Sequence, residues 1–286
     1  MMKNFFIITN SYKDKDLKVT RMIQDYIETK GGKCTYYVSL GEERNSDCVE
    51  EDAIPENLDC ILVLGGDGTL IRAARDTVQR KVPLIGINMG NLGYLCELEE
   101  KTVLSAIDQI MEENYMIENR MRLSGHPMCD GKTLTGQTAL NDIVIHREGG
   151  MQIVNLVVYV NGEYLSTFQG DGVIVSTPTG STGYNLSAGG PIIDPKARMI
   201  VITPINSHTL SSKSIVLAAE DEVIVEIDSR RRERDEKVVV SFDGDRNMSL
   251  SVGDQIVIHQ AKLDVRILKL SKISFLEILR KKMQGY

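Results

Sequence analysis

The residues best suited to chemistry begin with GGDGT, Gly65 to Thr69. Its glycines, Gly66 and Gly68 among them, let backbone approach a phosphate closely and adopt angles other residues avoid. The string follows a buried apolar run and opens a helical pattern. A helix start offers free N–H groups and a positive dipole end to an anion. Asp67 then stands beside phosphates, where a carboxylate can take a proton from an attacking hydroxyl or help hold Mg²⁺. The same string also fits a tight turn with Asp67 capping the helix. No GK[ST] follows, so this is not a Walker A loop and carries no phosphate-gripping lysine; it is not GxGxxG either. Taken alone, GGDGT points to phosphoryl transfer and leaves the acceptor open.

Three further strings share that character. GNLGYL (Gly90 to Leu95) follows the next apolar run, which puts it on the same sheet edge as Asp67; Tyr94 there can cover a ring or pack in the core. Asn141-Asp142 interrupts the strand-like ALNDIVIH. An amide beside a carboxylate suits a nucleoside, with the amide reading the base and the carboxylate the ribose hydroxyls. On a regular strand the two would face opposite ways unless a bulge turned both to one site. The longest string is GDGVIVSTPTGSTGYNLSAGGPI, Gly170 to Ile192. It gathers Gly, Ser and Thr with Asp171 around a short strand and a helix start that Ser181 or Thr182 could cap. Runs so rich in glycine and hydroxyls bury little apolar area and are usually kept for binding. Of four histidines, His208, amid small hydroxyl residues, is the one best placed as a phosphate contact.

The elements that must position these residues follow from apolar spacing. Phe5–Thr9, Cys34–Val38, Cys60–Leu64 and Val82–Asn88 read as strands. Leu17–Thr29, Thr69–Gln79 and Thr102–Met111 read as helices. This alternation predicts a doubly wound α/β domain over residues 1–118, with the GGDGT loop. Residues 119–259 then read as a β-rich binding domain. Its strands include Ala139–Ile145, Ile153–Val160, Val173–Ser176, Met199–Thr203, Glu222–Ile227, Lys237–Phe242 and Gln255–His259, with a hairpin turn at Asn161-Gly162. Residues 260–286 end in a helix, Phe275–Met283, expected to pack back on the first domain.

Composition narrows the class. The chain has 286 residues, 42% hydrophobic and 26% charged, with a net charge of −7, so nucleic acid and anionic membranes are poor partners. Five scattered cysteines without a CxxC exclude a zinc site and a disulfide framework. They suit a reduced, cytoplasmic protein. The N-terminus lacks a signal peptide, and no apolar run is long enough to span a membrane. The cluster Arg230, Arg231, Arg232 and Arg234, diluted by Glu233, Asp235 and Glu236, reads as a solvated hairpin tip.

The motifs in this order resemble the NAD kinase family: GGDGT, ALND from Ala139, STPTGST from Ser176 and VSFDGD from Val240 to Asp245. Diacylglycerol and sphingosine kinases share GGDGT but lack STPTGST. The resemblance implies a Rossmann-like α/β domain, a C-terminal β-sandwich, and NAD and ATP as substrates, with a divalent metal (Mg²⁺) accompanying ATP. It implies homodimers or homotetramers. Asp67 becomes the expected catalytic base near the NAD ribose. Asn141 and Asp142 match an Asn-Glu/Asp pair that binds the adenosine part. Asp171 falls in the family's GDG. Thr182, Gly183, Tyr184 and Ser187 fall in its adenine-binding loop, and His208 lies near the dinucleotide phosphates. Two departures stand out: Gly183 replaces the usual alanine, and Asp142 is shorter than the common glutamate.

Overall fold

The computed structural model describes residues 2–39, 49–90, 93–149, 153–208, 213–228, 237–270 and 274–284. Asn91 and Leu92 of the GNLGYL string, residues 209–212 after His208, and the arginine cluster at 230–234 lie outside the described residues. The chain divides into two units, Met1–Arg120 with Val265–Tyr286, and Met121–Asp264.

In the first unit, β1 (Asn4–Asn10), α1 (Lys18–Thr29), β2 (Lys33–Ser39), β3 (Cys60–Gly65), α2 (Asp67–Thr77), β4 (Leu84–Asn88), β5 (Leu98–Glu99), α3 (Val103–Met111) and β6 (Met116–Arg120) follow one another. β3 and β4 are buried at every residue, as parallel strands covered on both faces must be. α1 buries Val19, Ile23 and Ile27, a single stripe at helical spacing. They pack with Ile107 and Ile110 of α3 against Phe5, Ile7, Leu62, Leu64, Ile85 and Ile87 of the sheet. The strand order is β2-β1-β3-β4, then a returning strand Val265–Lys269, then β6, with β5 beside β4. The chain leaves β1 toward one edge and β3 toward the other. The carboxyl ends of β1 and β3 therefore flank the point where the winding reverses, the crevice in which open α/β sheets hold ligands.

The second unit comprises β7 (Leu123–Cys129), β8 (Lys132–Thr133), β9 (Gln137–Ala139), β10 (Asp142–Arg147), β11 (Val154–Val160), β12 (Glu163–Gly170), β13 (Gly172–Ser176), α4 (Tyr184–Ser187), β14 (Met199–Ile205), β15 (Ile215–Ala218), β16 (Val223–Asp228), β17 (Lys237–Phe242), β18 (Arg246–Ser251) and β19 (Gln255–Gln260). One sheet runs β15-β14-β13-β10-β17-β18; the other runs β12-β11-β16-β19-β7-β8, with β9 beside β7. Ile143, Ile145, Val173, Val175, Val240 and Phe242 of the first pack with Leu156, Val158, Val225, Ile256 and Ile258 of the second in one buried cluster. This is a β-sandwich. Asn161 and Gly162 join β11 to β12 with φ of 51° and 80°, the left-handed pair that a two-residue hairpin requires. The chain then ends in β20 (Val265–Lys269), parallel to β4 and antiparallel to β6, and α5 (Phe275–Met283), capped by the Ser274 side chain.

Two local expectations change. The strand expected over Ala139–Ile145 is broken: β9 ends at Ala139 and β10 begins at Asp142, because side chains from elsewhere capture the backbone of Leu140 and Asn141. Neither Ser181 nor Thr182 caps α4. Gly183 occupies that position without a side-chain bond, and the Ser181 hydroxyl donates instead to the Pro178 carbonyl at 2.7 Å.

Candidate active site

On the α/β unit the site is built around Asp67, the first residue of α2, with Gly66 in the capping position. Its carboxylate turns away from its own helix and receives three backbone N–H groups from the loop after β4. Tyr94 donates to Oδ2 at 2.6 Å; Leu95 and Cys96 donate to Oδ1 at 3.1 and 3.2 Å. The second glycine string therefore holds Asp67 rigidly. The Cys96 thiol also bonds to the carboxylate, and the side chain as a whole is half-buried. Gly93 is required here, since a Cβ on it would fall on the Asp67 carboxylate itself. Gly65 sits equally close to the Thr69 side chain, which makes the strand-to-helix turn as tight as the string suggests. Gly68 faces open space. The Tyr94 ring lies under the Lys282 ammonium of α5, 5.2 Å from its centre. Burial, with the Asp67 charge beside it, raises the Tyr94 phenol. Burial pushes the Cys96 thiol up to about 12, again with help from Asp67, so it is inert as a nucleophile.

On the sandwich, Asn141, Asp142, Val144, His146, Tyr184, Ser241, Asp243 and Gly244 line a pocket of about 340 Å³. The break between β9 and β10 turns Asn141 and Asp142 toward this one space. Three partners enforce the break. The Asp243 carboxylate accepts from the backbone N–H groups of Leu140, Asn141 and Asp142, at 2.8, 2.7 and 3.2 Å. The Thr177 hydroxyl donates to the Leu140 carbonyl at 2.6 Å, and the Thr177 N–H donates to the Asn141 carbonyl at 2.8 Å. Gly180 packs so closely on the Asn141 backbone that a Cβ there would overlap it. The Asn141 Oδ1 is buried and has no hydrogen-bond partner among the described residues. An orphaned acceptor of this kind costs stability unless a ligand supplies the donor.

Asp142 is only 5% exposed. Burial, and then the Asp243 charge, raise its carboxyl to about 7. The native state thus favours the protonated form. Below about pH 4 both folded and unfolded chains hold the proton and the group costs nothing. As pH rises from there to 7, the unfolded chain releases a proton that the native chain keeps, so stability falls. The full loss, about 1.4 kcal/mol per pKa unit, is present above pH 7. Asp142→Asn is accordingly expected to raise the thermal midpoint, more at pH 8 than at pH 5. A gain that does not grow with pH in melting curves would refute this assignment of the cost.

Tyr184 reaches the pocket; Thr182, Gly183 and Ser187 lie on the same turn without lining it. Asn185, fully buried, anchors that turn. Its Nδ2 donates to the carbonyls of Ser181 and Pro191 at 3.2 and 3.0 Å, and its Oδ1 accepts from the Thr203 hydroxyl at 2.7 Å. Asp171 and His208 form a separate group. Asp171 accepts from Asn206 at 2.8 Å and Arg147 at 2.7 Å, which hold its carboxyl below the usual range, with His208 adding to the effect. They lie at the far end of the β10–β13 pair, where His146 faces Gly172, whereas Asp142 faces Ser176. That is about 13–17 Å along the strand at 3.3 Å per residue. Asp243 and Asn185 were not singled out from sequence. The Asp-Gly turn pair Asp243-Gly244, with φ of 53° and 73°, is the signal for the first; nothing local in the sequence marks the second.

A glycine turn that opens a helix at the winding reversal beside a fixed carboxylate, and a polar-lined pocket in a β-sandwich, fit the class of nucleotide-dependent phosphotransferases. Comparison with known proteins gives the family. Residues 5–115 match the ATP-NAD kinase N-terminal domain and residues 140–270 the ATP-NAD kinase C-terminal domain. The chain is 54% identical over 285 residues to the NAD kinase of Agathobacter rectalis, covering 100% of both chains. It is 41% identical to that of Lachnospira eligens, covering 99% of this chain and 100% of the relative. The chain belongs to the NAD kinase family. Its fold is similar to that of yeast NADH kinase complexed with NADH, at TM-score 0.85 and 22% identity over 99% of this chain and 88% of the other. It is also similar to an NAD kinase from Archaeoglobus fulgidus in complex with ATP, at TM-score 0.77 and 22% identity over 99% of each chain.

Proposed function

We propose that this protein transfers the γ-phosphoryl group of ATP to the 2′-hydroxyl of the adenosine ribose of NAD, giving NADP. The observation that carries the reading is Asp67, a half-buried carboxylate held by three amides in the glycine turn that opens α2. In this mechanism the 2′-hydroxyl donates to Asp67, which draws off its proton as the oxygen attacks the γ-phosphorus. The bond to the β,γ-bridging oxygen breaks and ADP leaves. Positioning and charge neutralisation carry most of the acceleration in such transfers. The α2 N-terminus supplies part of that charge. On the sandwich, the Asn141 side-chain amide reads the adenine, Tyr184 covers the base, and Asp142 binds ribose hydroxyls. Thr182, Gly183 and Ser187 shape the adenine turn. Asp171 and His208 serve the distal part of the dinucleotide.

Among the described residues no group of three or more His, Cys, Asp or Glu is placed to hold a metal ion. These residues fit a cation that arrives chelated by the triphosphate oxygens, with at most one protein carboxylate, as magnesium usually binds with phosphates. Bound there, Mg²⁺ neutralises charge on the transferring group. No helix among the described residues is long and apolar enough to cross a membrane. A cytoplasmic homodimer or homotetramer is the form we propose, and light scattering counts the copies.

Incubation with NAD, ATP and Mg²⁺ is expected to yield NADP, read by an NADP-specific dehydrogenase. Absence of NADP under those conditions overturns the proposal. Asn141→Ala is expected to weaken NAD binding by about 1–3 kcal/mol and to leave ATP binding near wild type. Calorimetric titration showing unchanged NAD affinity removes Asn141 from nucleoside recognition.

A further inference from the structure

GGDGT lacks the lysine of a Walker A loop, and the structure brings one from a position 52 residues before Gly65. We propose that Lys13, on the loop between β1 and α1, is a catalytic residue that grips the phosphates of the triphosphate donor; this rests on the donor reading above. The Lys13 Nζ lies 2.9 Å from the point a Cβ on Gly66 would occupy. The ammonium is therefore already at the turn that would cradle phosphate. Its charge also reaches the neighbourhood of Asp67, where it opposes the rise of the Cys96 thiol.

The placement follows from the winding of the sheet. Lys13 stands at the carboxyl end of β1 and Gly66 at that of β3, on the two sides of the reversal point. Lys13 also lines a cavity of about 670 Å³ with Asn88, Met89 and Gly90 from the end of β4. The loops after β1 and β4 thus share this space, and the Lys13 side chain reaches from it to Gly66 at the end of β3. Glu99 and Glu100 line it too, but Lys101 pairs with Glu99 at 2.6 Å and offsets part of their field.

The loop is fixed on both sides of Lys13. The Asn10 carbonyl accepts from the N–H groups of Lys13 and Asp14 at 3.0 and 2.9 Å, and its Oδ1 accepts from Tyr12 N–H at 3.0 Å. The buried Asp14 carboxylate takes the N–H groups of Val19 and Thr20 and the Thr20 hydroxyl, at 2.9, 2.8 and 2.6 Å. Between these anchors Lys13 is exposed and forms no salt bridge among the described residues. A cation on an anchored loop, with no carboxylate partner among the described residues and in a chain of net charge −7, is suited to meet an anion. A lysine acts on phosphate as a point charge, so one such residue complements the partial charge of the helix start without a Walker A sequence.

The test is steady-state kinetics on Lys13→Met and Lys13→Arg, varying ATP at saturating NAD and the reverse, with calorimetric titration of Mg-ATP. Inorganic tripolyphosphate serves as a competitor that carries no nucleoside. Lys13→Met is expected to raise the KM and Kd for ATP and the inhibition constant of tripolyphosphate roughly ten- to hundredfold, the weight of a charge-assisted hydrogen bond. The KM for NAD should stay within about twofold, and Lys13→Arg should restore most of the loss because the charge is kept. Unchanged ATP and tripolyphosphate affinity in Lys13→Met overturns the inference, as does an equal loss for both substrates. Wild-type protein that makes no NADP sinks the proposed function, whereas the titrations still decide Lys13.

Discussion

Asp67→Asn lowers kcat by about 10²- to 10⁴-fold, the usual weight of a positioned general base, and leaves the KM values for ATP and NAD near wild type. The substitution keeps size and shape. It removes the basic oxygen and one hydrogen bond, because an amide NH₂ cannot accept from the backbone N–H donors that converge on this side chain. If the remaining oxygen stays on Leu95 and Cys96, the 2.6 Å bond from Tyr94 is lost. That costs about 1 kcal/mol and lowers the thermal midpoint by a few degrees. The two readouts separate the roles: a small loss of stability beside a large loss of turnover marks chemistry. Turnover close to wild type in a folded Asp67→Asn protein eliminates the base.

Gly93→Ala is expected to lower kcat by about 10²-fold through the same carboxylate, although residue 93 bears no functional group. The new methyl would occupy the position of the Asp67 carboxylate, so either the carboxylate or its loop must move. Displacements near 1 Å cost about that factor in positioned reactions. A double-mutant cycle makes the test specific. In an Asp67→Asn background, with the base already gone, Gly93→Ala should remove little further activity, because residues that act as a unit are not additive. Full additivity of the two losses would show that Gly93 acts by another route.

The alternation of buried strands and amphipathic helices made the α/β unit legible, since Cys60–Leu64 and Val19, Met22, Ile23, Tyr26 and Ile27 carry their periodicity openly. GGDGT was legible because a glycine turn between strand and helix has few uses. Less visible were strands whose pattern is diluted. Leu123–Cys129 contains Gly125 and Pro127, which weaken a strand signal, yet its residues alternate buried and half-buried. Val265–Lys269 is a short apolar run whose sheet neighbours lie far off in sequence. Within the candidate site, neighbours in sequence were easier to find than neighbours in space. Asp243 organises Leu140 to Asp142 across about a hundred residues, and Lys13 reaches Gly66 from a loop whose composition advertises nothing. Asp171 and His208 were grouped with Asn141 by motif alone, and strand register sets them at opposite ends of one strand pair.

The position of β20 governs the order in which the molecule can be made. Its sheet is left open between β4 and β6 until residues 265–269 leave the ribosome, and all of Met121–Asp264 is translated in the meantime. At ordinary synthesis rates that interval lasts roughly 7–30 s. During it, the GGDGT-bearing sheet has unpaired strand edges exposed to whatever is nearby. The sandwich, by contrast, is continuous in sequence and can be completed first. A chain cut short after Asp264 would keep every motif of its nucleotide chemistry and still lack the strand that closes the sheet carrying Asp67.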